Sequence, residues 1–93
     1  MNLHISGIDF KVQYKTNEEM SGNIGLAQFD RQEIWINQAH TLQTKKIALL
    51  HETLHILSSV YNLNLSEEQV VVMTHALLGA LRDNSDFTKE ILT

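Results

Sequence analysis

The sequence predicts an α+β protein in which an antiparallel sheet of about four short strands precedes two helices. Apolar and polar residues alternate at period two through much of the first 37 residues, a pattern typical of strands with one buried face. From residue 41 onward, two longer stretches carry apolar residues at helical spacing. A chain of 93 residues is expected to form one domain. We divide it into a sheet region (1–40), a first helix (41–61), a second helix (66–84) and a tail (85–93).

The sheet region begins with a predicted β-hairpin over residues 2–14. Alternating apolar residues on both sides of Ser6-Gly7 indicate two strands, and the dipeptide itself is a typical turn. The polar segment that follows, residues 15–23, is expected to be a loop.

Two further strands are predicted before the first helix. Residues 24–29 form the third strand, although Gly25 weakens the pattern. Residues 30–32 form a turn and Glu33 to Asn37 the fourth strand. The two isoleucines of this strand share one face, so Trp35 is expected to cover the other face of the sheet. A wall of a substrate groove is the less favoured interpretation of Trp35.

The first helix carries the most informative motif of the chain. Thr41 or Thr44 caps this helix, which is predicted to end near Tyr61. Within it stands His51-Glu52-Thr53-Leu54-His55, a match to H-E-x-x-H. Residues four apart lie one turn above each other, so His51 and His55 can share one cation. Glu52 then leans over the same site, as a zinc hydrolase requires of the carboxylate beside the metal-bound water.

The alternative interpretation of this motif is an ordinary polar stripe on a solvated helix. The surrounding residues argue against it, because the helix is apolar on most sides and its polar stripe is narrow. A solvated stripe usually carries Lys and Glu in i,i+4 pairs. Two histidines on an otherwise buried helix need partners, and one metal ion supplies a partner for both.

The second helix supplies the candidates for a third metal ligand. Ser66 and Gln69 form a capping box that opens this helix, and Asn84 is predicted to end it in a left-handed conformation. Helix phase puts Glu67 inside the buried arc, while Glu68 and His75 lie beside it. Glu67 is therefore favoured, with Glu68 and His75 as alternative ligands. His75 is also a candidate second-shell group or oxyanion donor, and Glu67 alternatively an exposed acid that favours the helix dipole.

Composition limits the partners of the protein. The chain has no cysteine, so a metal site must use histidine and carboxylate ligands, and a reducing, cytoplasmic setting is expected. The net charge is -4, from 7 basic and 11 acidic residues without a basic stripe. We therefore expect no nucleic-acid partner. No signal peptide and no apolar run of about 20 residues is found, so no membrane association is expected.

The chain resembles the small zincin-like metallopeptidases of phages and prophages, relatives of the ImmA/IrrE metallo-endopeptidases. The resemblance covers residues 1 to about 84, and its specific parts are the HETLH motif and the acidic start of the second helix, Glu67-Glu68-Gln69-Val70. It implies a zinc-dependent peptidase fold with the sheet beside the motif helix and Glu67 as third ligand. It also implies regulatory proteins such as repressors as substrates. Only about a dozen residues separate His55 from Glu67, a tight connection for this family.

The favoured hypothesis is a zinc metallopeptidase that hydrolyses peptide bonds of an intracellular protein, with Glu52 as general base. An extended substrate is expected to pair with an exposed sheet edge, at residues 24–29. The alternative is a non-catalytic zincin-like protein-binding or regulatory module of a phage or prophage. A metal-free helical hairpin on a sheet, with an accidental motif, is the third hypothesis. The substrate and the oligomeric state stay open.

Overall fold

Four strands form one sheet in the computed structural model, which describes residues 1–93. The strands are β1 (Asn2–Ile5), β2 (Ile8–Lys15), β3 (Gly25–Gln28) and β4 (Glu33–Asn37), in the spatial order β1-β2-β4-β3. The pairs β1/β2 and β3/β4 are antiparallel, whereas β2 and β4 are parallel. The predicted strands are confirmed, but the prediction of a purely antiparallel sheet is wrong, because the sheet is mixed.

The parallel pairing arises from the connection between β2 and β3. This loop carries the chain across to the far edge of the sheet, and β4 then returns between β3 and β2. Met20 anchors the loop with only 1% of its surface exposed. The buried amide of Asn37 also holds it, because Nδ2 donates to Asn17 Oδ1 at 2.8 Å and to the Asn23 carbonyl at 3.0 Å. The predicted loop is therefore a packed connection.

The turn between β1 and β2 follows the sequence prediction. Ser6 and Gly7 have φ angles of 49° and 79°. Two successive left-handed residues are typical of the two-residue turn whose twist matches that of the flanking antiparallel strands.

Three helices follow the sheet: α1 (Leu42–Val60), α2 (Glu67–Asp83) and α3 (Ser85–Leu92). The Thr41 side chain caps α1 by accepting from the backbone N–H of Thr44, so Thr41 rather than Thr44 is the cap. The predicted capping box of α2 is confirmed, since Ser66 and Gln69 bond each other's backbone N–H groups. None of the three helices has the length and apolar content needed to cross a membrane.

The sequence predicts two helices followed by a tail, but residues 85–92 of this tail form a third helix, α3. Asn84 also differs, with φ of -132° instead of a left-handed conformation. Its Nδ2 donates to the Ala80 carbonyl at 3.0 Å, which satisfies one of the open carbonyls at the end of α2. Thr88 then donates to the Leu81 carbonyl at 2.8 Å and fastens α3 to α2. No residue of α3 is buried.

The hydrophobic core lies between the sheet and α1. Ile34, Ile36 and Ile56 are at most 1% exposed, and burying each such side chain stabilises the fold by roughly 1.5–3 kcal/mol. Helix α2 packs on the other side of α1 through Val70 and Thr74, both fully buried. The core consists of seven residues: Ile5, Phe10, Val12, Ile34, Ile36, Ala48 and Ile56.

The face of the sheet that points away from α1 carries Trp35, as predicted for the second face. The Lys15 ammonium lies 4.9 Å and the Arg31 guanidinium 5.7 Å from the ring centroid of Trp35. The indole N–H donates to Glu33 at 3.0 Å. Trp35 therefore lies among charged residues on this face, where cation–π contacts stabilise it.

Candidate metal centre

His51 and His55 lie one turn apart on α1, and their side chains converge. The two Nε2 atoms are 3.2 Å apart. Both rings are partly buried, with 19% and 27% of their side-chain surface exposed. Leu54 and Ile56 of the same helix are buried in the interior, which fixes the rotation of α1. The prediction that the two imidazoles share one side of the helix is confirmed.

Glu67 completes a three-residue group. As the first residue of α2 it is positioned by the Ser66 cap, and its two oxygens each approach one imidazole. Oε1 lies 2.9 Å from His51 Nε2, and Oε2 lies 2.8 Å from His55 Nε2. One potential ligand atom from each of the three residues lies within 4.8 Å of the other two. Two imidazoles and one carboxylate are a typical protein ligand set for catalytic zinc.

The spacing of these atoms suits one zinc ion. Zn–N bonds of about 2.0–2.1 Å at a tetrahedral angle place two nitrogens about 3.3 Å apart, close to the observed 3.2 Å. The carboxylate oxygens of Glu67 lie nearer to the nitrogens and need to retreat by roughly 0.4 Å to share the ion. Because the Glu67 side chain is 66% exposed, it is free to make this adjustment. The donor set therefore fits zinc and leaves the fourth position for another ligand.

Glu52 lies beside this group, in the gap between α1 and β3. Only 9% of the residue is exposed, and Oε2 is 3.9 Å from His51 Nε2. Burial raises the pKa of the Glu52 carboxyl, and the charge of Glu67 adds to this effect. His51, His55 and the backbone N–H of Ala27 oppose the rise in pKa. The carboxyl is thus made more basic next to the candidate metal ligands.

Gly25 makes room for Glu52. A Cβ atom at this position would lie 3.1 Å from Glu52 Cγ and 3.2 Å from Oε2. Both distances are shorter than ordinary carbon contacts, so any larger residue would push the carboxylate aside. The sequence signal for this contact was the glycine inside a strand pattern, which often marks a close approach of another group.

The outer edge of β3 is open, because β3 is the last strand of the sheet. The Asn37 N–H donates to the Ile24 carbonyl at 2.9 Å, and Leu26 is the residue opposite Trp35. Hydrogen-bonded pairs alternate in an antiparallel ladder, so Ile24 and Leu26 point their polar groups toward β4. The N–H and C=O groups of Gly25 and Ala27 therefore point away from the sheet, beside Glu52.

A cleft of about 430 Å³ opens next to His51 and Glu52. One wall is the segment from Gly22 to Gly25, and the other is the first half of α1, with Thr44, Ile47 and Ala48. No ionisable residue lines the cleft apart from His51 and Glu52. This cleft was not predicted, because its two walls lie about 20 residues apart in the chain.

The two alternative ligands lie outside the group. Glu68 and His75 are both exposed on α2, and neither belongs to the three-residue group around His51. The structure therefore favours Glu67 among the three candidates for a third ligand.

Comparisons with protein-family models, with curated proteins and with solved structures each gave no match.

Proposed function

We propose that this protein is a zinc-dependent peptidase that hydrolyses peptide bonds of an intracellular protein. The observation that carries the proposal is the convergence of His51, His55 and Glu67, with the buried carboxyl of Glu52 beside them. The resemblance to the zincin-like peptidases of phages and prophages points to the same activity and to a regulatory protein as substrate. Residues His51, His55 and Glu67 would hold the zinc ion.

When bound, zinc would supply Lewis-acid chemistry, which would polarise the peptide carbonyl and lower the pKa of water to about 7. Glu52 is the group that moves protons. Its raised pKa makes the carboxylate a stronger base, which suits it to accept a proton and to give it back to the leaving amine nitrogen. Its burial between α1 and β3 restricts the carboxylate to the side of the site that faces His51.

The open edge of β3 is suited to an extended substrate. The outward N–H and C=O groups of Gly25 and the outward C=O of Ala27 would pair with the peptide backbone and hold the bond to be cleaved near Glu52. The amine nitrogen of the cleaved bond must lie near Glu52, because Glu52 gives it a proton. The cleft between β3 and α1 lies on this same side of the site. The residue after the cleaved bond is therefore expected to place its side chain in this cleft. Because the lining offers no other charged group, an uncharged side chain is preferred.

The exposure of Glu67 favours a second candidate function. No element covers this ligand, whose side chain is 66% exposed, whereas many enzymes close their sites to exclude water. A protein-binding or regulatory module would retain the metal centre and act through contacts alone.

The decisive experiment compares Glu52→Gln with the matched variant Glu68→Gln. Both substitutions remove one carboxylate charge, but only Glu52 lies beside the metal ligands. We expect stoichiometric zinc in both variants, and loss of peptide-library cleavage in Glu52→Gln alone. Retained cleavage in Glu52→Gln would refute the proposed base. Zinc without cleavage of any peptide in the wild type would favour the binding module.

A further inference from the structure

The side of α2 that points away from α1 carries a line of residues without a partner, which we call the α2 seam. Its members are spaced four, three, four and three residues apart: Glu68, Val72, His75, Gly79 and Arg82. This is the spacing of the contact positions in a coiled coil. The seam lies about 140° around the helix from the buried residues Val70 and Thr74.

The seam is free in the structure. Val72 is 66% exposed, and Glu68, His75 and Arg82 are exposed as well. A Cβ atom added to Gly79 would meet nothing within 4 Å, so the surface is open at this point. At the N-terminal end of the seam, a depression of about 460 Å³ is lined by Leu65, Glu68, Gln69, Val72 and Met73.

Two copies of the α2 seam are complementary to each other when the two helices run antiparallel. When two α2 helices lie antiparallel and are centred on His75, Glu68 comes level with Arg82 of the second copy, and Arg82 level with its Glu68, because both are seven residues from His75. Val72 comes opposite Gly79 of the other helix, so the larger side chain faces the open space left by the glycine. His75 meets its own copy at the centre. Such a contact has two-fold symmetry, and both copies use the same surface.

The charges and the side-chain sizes along the α2 seam indicate what binds to it. Glu68 at one end and Arg82 at the other make a parallel pairing repulsive at both ends, and make an antiparallel pairing attractive at both ends. Antiparallel helices also place their dipoles in the favourable orientation. The large-against-small match of Val72 with Gly79 exists only in this register. We propose that the α2 seam binds a second copy of this chain, through antiparallel pairing of α2 with α2.

The test is sedimentation equilibrium of the full chain from about 10 to about 500 µM, because a contact along one helix is small and its affinity is expected to be modest. A monomer–dimer equilibrium is expected for the wild type. Glu68→Arg and Arg82→Glu each replace two attractive contacts by repulsive ones and should raise the dissociation constant at least about 10-fold. The double variant restores opposite charges and should recover most of the affinity.

Matched controls carry the same charge changes away from the seam. Glu18→Arg and Lys46→Glu alter exposed residues outside α2 and should leave the dissociation constant unchanged. Gly79→Leu gives a steric variant that the fold accommodates, since nothing lies within 4 Å of the new side chain's Cβ, and it should weaken the dimer. Circular dichroism checks that each variant is folded. A monomeric wild type at every concentration, or a dimer that the charge exchange leaves unaffected, would overturn the proposal.

Discussion

Gly25→Ala tests the placement of Glu52 without altering any candidate metal ligand. The added Cβ would lie 3.1 Å from Glu52 Cγ, 3.2 Å from Oε2 and 3.4 Å from Ala48 Cβ. The first two distances require Glu52 to move by a few tenths of an ångström or more. Since a displacement of about 1 Å in an active site can cost 100-fold in rate, we expect kcat/KM for peptide cleavage to fall by about 10-fold or more.

The effect of Gly25→Ala on the free energy of unfolding has two opposing parts. Crowding in a packed region costs about 1–3 kcal/mol, whereas replacing glycine in a strand recovers roughly 0.5–1 kcal/mol. The free energy of unfolding should therefore fall by about 2.5 kcal/mol at most, and zinc should still bind because His51, His55 and Glu67 are untouched.

The matched control is Gly79→Ala, where the new Cβ meets nothing within 4 Å. This change should leave cleavage unaltered and stabilise α2 by up to about 1 kcal/mol. Zinc content, peptide cleavage and urea unfolding of both variants complete the assay. If Gly25→Ala cleaves peptides as fast as the wild type does, Glu52 is not held against Gly25 in the reacting protein, and the assignment of the base fails.

Three further predictions concern stability. Because the pKa of Glu52 is raised, the free energy of unfolding of the metal-free protein should fall as the pH rises from the ordinary carboxyl pKa through the raised pKa of Glu52. Urea unfolding measured across pH should show that Glu52→Gln abolishes this fall. Met20→Ala empties a site that is 1% exposed and should cost about 2–5 kcal/mol in the same assay, whereas no change would mean that the loop is not packed. Ser66→Ala removes the cap beside Glu67 and should cost about 1 kcal/mol. It should also weaken zinc binding, and unchanged zinc affinity would show that the cap does not position this carboxylate.

Much of the candidate site was predictable because it depends on local rules. Four-residue spacing on a helix places His51 and His55 one turn apart whatever the remainder of the chain does. The capping box fixes the first turn of α2, and helix phase then directs Glu67 rather than Glu68 toward α1. The predicted burial of Glu67 is wrong, because its side chain is 66% exposed at the start of the helix. These features depend on short-range geometry that the sequence specifies directly.

The features that were missed depend on contacts between distant segments. Alternation at period two identifies the buried face of β4, but it does not say which strand is its neighbour, so the parallel pairing with β2 was not predicted. The burial of Met20 and the contact of Gly25 with Glu52 require the same long-range arrangement. The predicted end of α2 at Asp83 is confirmed, but the predicted left-handed backbone of Asn84 is wrong, because its side chain satisfies a carbonyl instead.

The zinc content of freshly purified protein tests the central claim most directly. Elemental analysis should find stoichiometric zinc in the wild type and in Glu68→Ala, and loss of zinc in His55→Ala and Glu67→Ala. Wild-type protein that binds no zinc even when the metal is added, or zinc content that is the same in all four proteins, would contradict the proposed metal centre.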